Sequence, residues 1–171
     1  KFWDAVVGGR SVGVPGTPAL MEAAHKKWGQ KAWSDLFAEA IDLAESGFAV
    51  SPRLAALVAG DADRLGRFSD TAAYFFRDGK PLVEGSWLTN AEYADVMRRM
   101  ANEGARVIYS GDIAKAIVDT VRGAESNPGV ISLKDLNTYK VKERPAVCAP
   151  FRGHQVCGMG PPSSGALTVG Q

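Results

Sequence analysis

Two cysteines and two histidines are the side chains best suited to nucleophilic or metal chemistry in this sequence, and their spacing supports little of either. Cys148 and Cys157 are too few for a disulfide framework. With His25 and His154 they form no zinc-type ligand spacing. A catalytic cysteine needs a base beside it and surroundings that favour the thiolate. His154 is close to Cys148 in sequence, but strand alternation puts the two on opposite faces. His25 lies beside Lys26 and Lys27 and reads as a solvated helix residue. Ser163-Ser164-Gly165 follows Pro161-Pro162, which suggests a stiff connection rather than the strand-to-helix elbow of a Gly-x-Ser-x-Gly nucleophile. The carboxylate pairs Asp61/Asp63 and Asp35/Glu39 have turn or helix explanations; Asp35 falls in a first turn, where the helix dipole favours it. Arg98-Arg99 reads as a solvated helix face. The glycine-rich stretch Gly8 to Gly16 lacks both the Gly-Lys-Ser/Thr ending of a phosphate loop and the Gly-x-Gly-x-x-Gly order of a dinucleotide site. No catalytic, cofactor-binding or metal-binding residue is assigned on these grounds.

The elements around these residues follow from hydrophobic period and caps. Gly8 to Gly16, with alternating valines, predicts a short strand and a tight turn. Thr17 is placed as the cap of a helix with Pro18 at its first position, carrying Leu20, Ala24 and Trp28 and ending at Gly29. Trp33, Leu36, Phe37, Ala40, Ile41 and Ala44 follow helical spacing, and Gly47 then Phe48 close that helix. Ser51-Pro52 restarts a helix with Leu54, Leu57 and Val58 on its buried side, fraying near Gly60 or Gly66. Residues 67–88 hold aromatic anchors and a turn at Asp78-Gly79. Asn90 caps a helix faced by Tyr93, Val96, Met97 and Met100 and ending at Gly104. Ile113, Ile117 and Val121 line another, broken by Asn127-Pro128-Gly129. Ser132 and Asp135 form a capping box for a short turn ending near Tyr139.

The last segment changes period. Arg144 to Pro150 and His154 to Met159 are β-like, joined at Arg152-Gly153 as a hairpin tip. A two-residue turn there pairs positions whose numbers sum to 305, so Cys148 faces Cys157. That pair is non-hydrogen-bonded, with Cα atoms about 4.5 Å apart, close enough to bridge; whether it does stays open. A Pro/Ser/Gly loop from Met159 to Ala166 follows, with a helix expected beyond it. The core is expected to include Trp33, Leu36, Phe37, Ile41, Leu43, Leu57, Val96, Met97, Ile113 and Ile117. The fold class is α+β, one domain over residues 1–171: mostly helical over 1–140, hairpin and loop over 141–171.

Bulk properties narrow the partners. The 171 residues are 46% hydrophobic and 23% charged, with 20 basic against 19 acidic side chains. That is a globular balance with no basic footprint, so no nucleic acid is expected. No apolar run reaches membrane-span length. The chain opens at Lys1 and stops at Gln171 as an apolar segment begins, which suggests a piece of something longer.

Five segments, in order, resemble the γ-glutamyltransferase (γ-glutamyltranspeptidase) family. Gly8 to Gly16 matches its Gly-Gly-x-Ser-Val-Gly-Val-Pro-Gly stretch. Glu39 to Val50 matches its Pro-Ala-Ile-x-Leu-Ala-x-x-Gly-Phe-x-Val helix end, with Glu39 in place of the proline. Ile108 to Ala114 matches Phe-Tyr-x-Gly-x-Ile-Ala, and Asp135 to Tyr139 matches Asp-Leu-x-x-Tyr. Met159 to Ala166 matches Met-Pro-Pro-Pro-Ser-Ser-Gly-Gly, departing at Gly160 and Ala166. The resemblance implies an internal piece of the large subunit of an αββα N-terminal-nucleophile hydrolase that cleaves itself ahead of a threonine. That threonine would attack the γ-glutamyl carbonyl of glutathione or a related compound and pass the acyl group to water or an amine, with no cofactor. The implied partners are the rest of the precursor, including the small subunit. The small subunit's Thr-x-His-x-Ser/Thr start is absent: Ala23 and Arg152 stand two residues before the histidines. The family's carboxylate-gripping arginine lies upstream of the Gly-Gly motif, so Arg10 does not inherit that role. A related cephalosporin acylase-like enzyme, or a non-catalytic helical interaction module, is the alternative. The residues do not fix the compartment; the resemblance is compatible with a periplasmic or extracellular one.

Overall fold

A computed structural model describes residues 6–170. The chain begins with a 3-10 turn at Gly9–Ser11 and then runs α1 (Thr17–Trp28), a second 3-10 turn (Ser34–Phe37), α2 (Ala38–Ser46), β1 (Phe48–Ala49) and α3 (Pro52–Gly60). It continues through α4 (Ala62–Leu65), α5 (Ser69–Phe75), β2 (Phe76–Arg77), β3 (Lys80–Pro81) and β4 (Trp87–Leu88). The second half holds α6 (Ala91–Glu103), α7 (Arg106–Tyr109), α8 (Gly111–Arg122), α9 (Leu133–Asn137), β5 (Val147–Phe151), β6 (His154–Gly158) and α10 (Gly165–Gly170). The strands form three antiparallel pairs: β1 with β4, β2 with β3 and β5 with β6. No helix of the described residues is long and apolar enough to cross a membrane.

Caps drawn from neighbouring sequence form as expected. Ser51 Oγ accepts from the Leu54 N–H at 3.2 Å and Asn90 Oδ1 from the Tyr93 N–H at 2.8 Å. Ser132 and Asp135 complete a capping box ahead of α9. Gly47 and Gly104 end α2 and α6 at positive φ, 85° and 82°, where a side chain would be strained. Asp78 and Gly79 both take positive φ and close the β2–β3 hairpin, the conformation of a type I′ turn.

Three expectations change. Gly8 to Gly16 forms no strand. Gly9–Ser11 is a 3-10 turn pinned by a bond from the Arg10 N–H to Asn127 O at 2.7 Å. A Cβ on Gly9 would stand 2.1 Å from Val121 O, so the glycine is there to admit a neighbouring backbone. Thr17 is not the cap of α1; Gly16 holds that position with no side-chain bond, and Thr17 is the first helical residue. The Trp33–Ala44 stripe does not make one helix: its first turn is 3-10 before α2 begins at Ala38.

The core lies in three clusters. Phe37, Met100, Val107 and Ile108 join the second 3-10 turn to α6 and α7, with Trp33, Ile41 of α2, Val96, Met97, Ile113 and Ile117 half-buried against them. Ala114, Val118, Val121, Ile131 and Leu136 join α8 to α9. Val50, Leu82 and Leu88 form a smaller group beneath the short strands. Leu36, Leu43 and Leu57, expected in the core, are 51%, 54% and 60% exposed. For Leu43 the reason is that α2 packs chiefly against α6 among the described helices, so its apolar stripe has only part of its width covered.

Candidate functional site

The residues that could do chemistry stay apart. His25 is half-buried rather than solvated: its Nε2 bonds Lys31 O at 2.8 Å and its ring meets Trp33 edge-on at 5.3 Å. That contact closes the Gly29–Ala32 connection. His154 sits at the hairpin tip opposite Phe151. Cys148 and Cys157 are directly opposite, Cα atoms 4.1 Å apart, and form a disulfide, so neither is a free nucleophile. Ser163 Oγ accepts from the Gly165 N–H at 3.1 Å, a local turn bond with no base beside it.

Several carboxylates are likewise engaged in local or cross-helix pairs. Asp61 grips Arg64 through two bonds of 2.5 Å, which hold its carboxyl below the usual range. Arg99 grips Asp112 of α8 at 2.7 and 2.8 Å and pushes that carboxyl well below the ordinary carboxylate range. Arg98 pairs with Glu45 of α2. Arg98-Arg99 is therefore a brace from α6 to two neighbouring helices, not only a solvated face. No group of three or more His, Cys, Asp or Glu residues placed to hold a metal ion occurs among the described residues.

The structure does bring together segments that are far apart in sequence. Tyr109, at the end of α7, donates its hydroxyl proton to Pro15 O at 2.5 Å and accepts from the Ala19 N–H at 3.1 Å. The first amides of a helix lack intrahelical partners, and Gly16 has no side chain to offer. Tyr109 supplies the missing cap of α1 from ninety residues away. Burial is the chief reason its phenol is pushed above its ordinary pKa, which favours the protonated form that can donate.

The Tyr109 ring stacks on Tyr139, with centroids 5.7 Å apart and planes within 6°. A Cβ on Gly16 would stand 2.5 Å from the Tyr139 hydroxyl oxygen, so glycine admits that approach. Glu22 adds a second tie: its Oε1 accepts from the Ala105 N–H at 3.3 Å, beside Gly104. Against this hub lies an open cleft of about 600 Å³ bounded by Gly16, Thr17, Leu20, Tyr139, Lys142, Arg144 and Met159, among others. Gly8 to Gly16, Ile108 to Ala114 and Asp135 to Tyr139 thus meet at one tyrosine pair, and Met159 closes the cleft beside them. Each segment is legible in the sequence; their meeting is not. No local signal links residues 16, 109, 139 and 159.

The arrangement can hold loops in fixed relation, and its cleft carries basic side chains at its rim. It offers no nucleophile paired with a base among the described residues.

Comparison with known proteins agrees with this picture. A family model described as "Gamma-glutamyltranspeptidase" matches residues 3–171. The chain is 33% identical over 168 residues to the glutathione hydrolase proenzyme of Bacillus subtilis (strain 168), covering 97% of this chain and 28% of that protein. It is 32% identical over 168 residues to the acylase ACY 1 proenzyme of Pseudomonas sp. (strain V22), covering 98% of this chain and 30% of that one. The crystal structure of Helicobacter pylori gamma-glutamyltranspeptidase superposes with a TM-score of 0.87 at 35% identity, covering 94% of this chain and 45% of that one. The chain therefore spans under a third of the length of these curated relatives. The α+β, mostly helical fold is that of a segment of an N-terminal-nucleophile hydrolase.

Proposed function

This chain belongs to the gamma-glutamyltranspeptidase family, and from that premise we propose that it is a large-subunit segment of an enzyme that moves γ-glutamyl groups. The donor is glutathione or a related γ-glutamyl compound; the acceptor is water or an amine. The single observation that carries this reading is the family match running from residue 3 to residue 171. The meeting of separated motif segments at Tyr109 and Tyr139 supports it, because it gives those segments a shared structural task.

In this reading the nucleophile is an N-terminal threonine outside these 171 residues. Its own α-amine acts as the base, and an oxyanion hole outside this chain stabilises the tetrahedral intermediate. The part played by this chain is positional. The Tyr109 cap, the Tyr109–Tyr139 stack and the Glu22 tie fix the loop before α1 against α7 and α9. Partners are the remainder of the same precursor and the γ-glutamyl substrate.

The full-length protein should release the chromophore from a γ-glutamyl anilide, and the 171-residue chain alone should not. Turnover by the chain alone that survives repurification and disappears on a point mutation would overturn this reading. The likeness to an acylase proenzyme favours a second reading, in which the same architecture removes a different acyl group. Comparing kcat/KM of the full-length protein for a γ-glutamyl anilide and for a cephalosporin side-chain amide separates them. A higher value for the anilide supports γ-glutamyl transfer; a higher value for the amide supports the acylase.

A further inference from the structure

Helix α2 ends at Ser46 and α6 begins at Ala91. The two helices pack on each other, both contribute to the cluster around Phe37, and the Arg98–Glu45 pair ties them. Residues 47–90 leave this helix pair and return to it at one point. The Asn90 N–H donates to Ala44 O at 2.7 Å, and β1 pairs with β4, Phe48 opposite Leu88 and Ala49 opposite Trp87. One step further out, the Val50 N–H donates to Ser86 O at 2.8 Å and the Gly85 N–H to Val50 O at 2.9 Å.

The last carbonyls of a helix have no intrahelical donor. In α2 the returning chain supplies two. Asn90 serves Ala44 O, and the Trp87 indole Nε1 donates to Ser46 O at 2.8 Å. Gly47 permits that approach: its φ is +85°, and a Cβ there would stand 2.4 Å from Trp87 Nε1.

The inside of the excursion is equally its own. Val50, Leu82 and Leu88 are buried together with Leu54, Ala55, Tyr74 and Phe75 against them, and these residues belong to neither of the other two clusters. The Leu82 N–H donates to Phe75 O at 2.9 Å, which fastens the end of α5 to the strand that carries Leu82 into the cluster. All these contacts lie within the chain and hold whatever packs on its outside.

A segment with one point of attachment and an unshared apolar cluster has what a cooperative opening unit needs. We infer that residues 48–88 form a lobe that opens as one unit while α2 and α6 stay packed, with the Trp87–Ser46 bond as its latch. Such sub-global opening coexists with a single transition in denaturant. The Tyr109–Tyr139 junction and its ties to Pro15, Ala19 and Glu22 lie outside the lobe, so they stay in place when it opens. Nothing in this device depends on γ-glutamyl transfer.

Hydrogen exchange of the full-length protein, read by mass spectrometry of peptic peptides, tests it with Trp87→Phe and Leu82→Ala. The first keeps an aromatic ring and removes the indole donor at the latch; the second leaves a cavity inside the lobe. A response common to both marks a common opening. Trp87→Phe should speed exchange about threefold to tenfold, the size of one lost hydrogen bond, throughout the peptides covering α3, α5 and β3. Leu82→Ala should speed the same peptides, and those from α6 and α8 should keep their native rates in both variants. Should Leu82→Ala fail to fold, Trp87→Phe decides alone. Speeding confined to the residues flanking Trp87, no speeding at all, or equal speeding in α6 and α8 would each overturn the inference. A lobe clamped by another part of the full-length protein would give one of these three results.

Discussion

The helical body between Phe37 and Leu136 contains every described buried hydrophobic residue, whereas β5 of the C-terminal hairpin is exposed at all five positions. The body is held by apolar clusters, and the segment before it is tied on by bonds between residues far apart in sequence, such as Tyr109 to Pro15 and Trp33 Nε1 to Met100 O at 2.8 Å. The hairpin is held by its own ladder, a turn with positive φ at Arg152 and Gly153, and one disulfide. Stability therefore has a different source in each region. In the body it is cooperative and depends on packing. In the hairpin it is local and covalent.

The sharpest way to break this comparison is to cut into the body. Leu136 is fully buried in the cluster joining α8 to α9. Leu136→Ala should cost about 2–5 kcal/mol in denaturant unfolding, the transfer loss plus the cavity. A loss under about half a kcal/mol would show that the cluster does not hold the body together.

Tyr109→Phe comes next. It removes one hydroxyl and leaves Pro15 O and the Ala19 N–H without that partner. The expected cost is about 1–3 kcal/mol, typical of orphaned, partly buried polar groups, and amide exchange should quicken at the start of α1. Unchanged exchange at Ala19 would mean that the tyrosine is not its cap.

On the hairpin side, Val147→Ala removes a residue that is 53% exposed. It should change the unfolding free energy of the 171-residue chain by less than about 0.5 kcal/mol. A larger loss would place the hairpin inside the cooperative unit.

The smallest effect is a titration. Arg99 holds the Asp112 carboxyl below its usual range, so the stabilising contribution of this pair is present above the ordinary carboxylate pKa of 3.8 and is lost only as pH falls through the lower folded value. Carboxyl-carbon NMR should show Asp112 titrating below 3.8, and Arg99→Gln should raise its midpoint. An Asp112 midpoint that Arg99→Gln does not move would remove this brace between α6 and α8 from the account.

These contrasts also explain what the sequence made legible. Ser51, Asn90 and Ser132 are caps whose partners lie three residues on, so the pattern contains both halves of each bond. The hairpin register follows from a two-residue tip, and Cys148 meets Cys157 as the count requires. Thr17 was expected to cap α1 because a local rule cannot see Tyr109 arriving from another helix. Gly8 to Gly16 was expected to be a strand because alternating valines do not reveal that Gly9 must lie against Val121 O. Leu36, Leu43 and Leu57 carry the right period, but a period tells which face is apolar and not whether a partner covers it. For the candidate site, each motif was legible and their convergence was not. The absence of an assigned catalytic residue follows from motif comparison, not from the fold.

The proposed function places the nucleophile of γ-glutamyl transfer outside these 171 residues. The most direct measurement is to treat the full-length protein with an electrophilic γ-glutamyl analogue and locate the covalent adduct by peptide mass spectrometry. The expected adduct lies on a threonine outside residues 1–171 and forms in proportion to the loss of anilide turnover. An adduct on Ser163, Ser164, Cys148 or any other residue of this chain, formed in that same proportion, would contradict it.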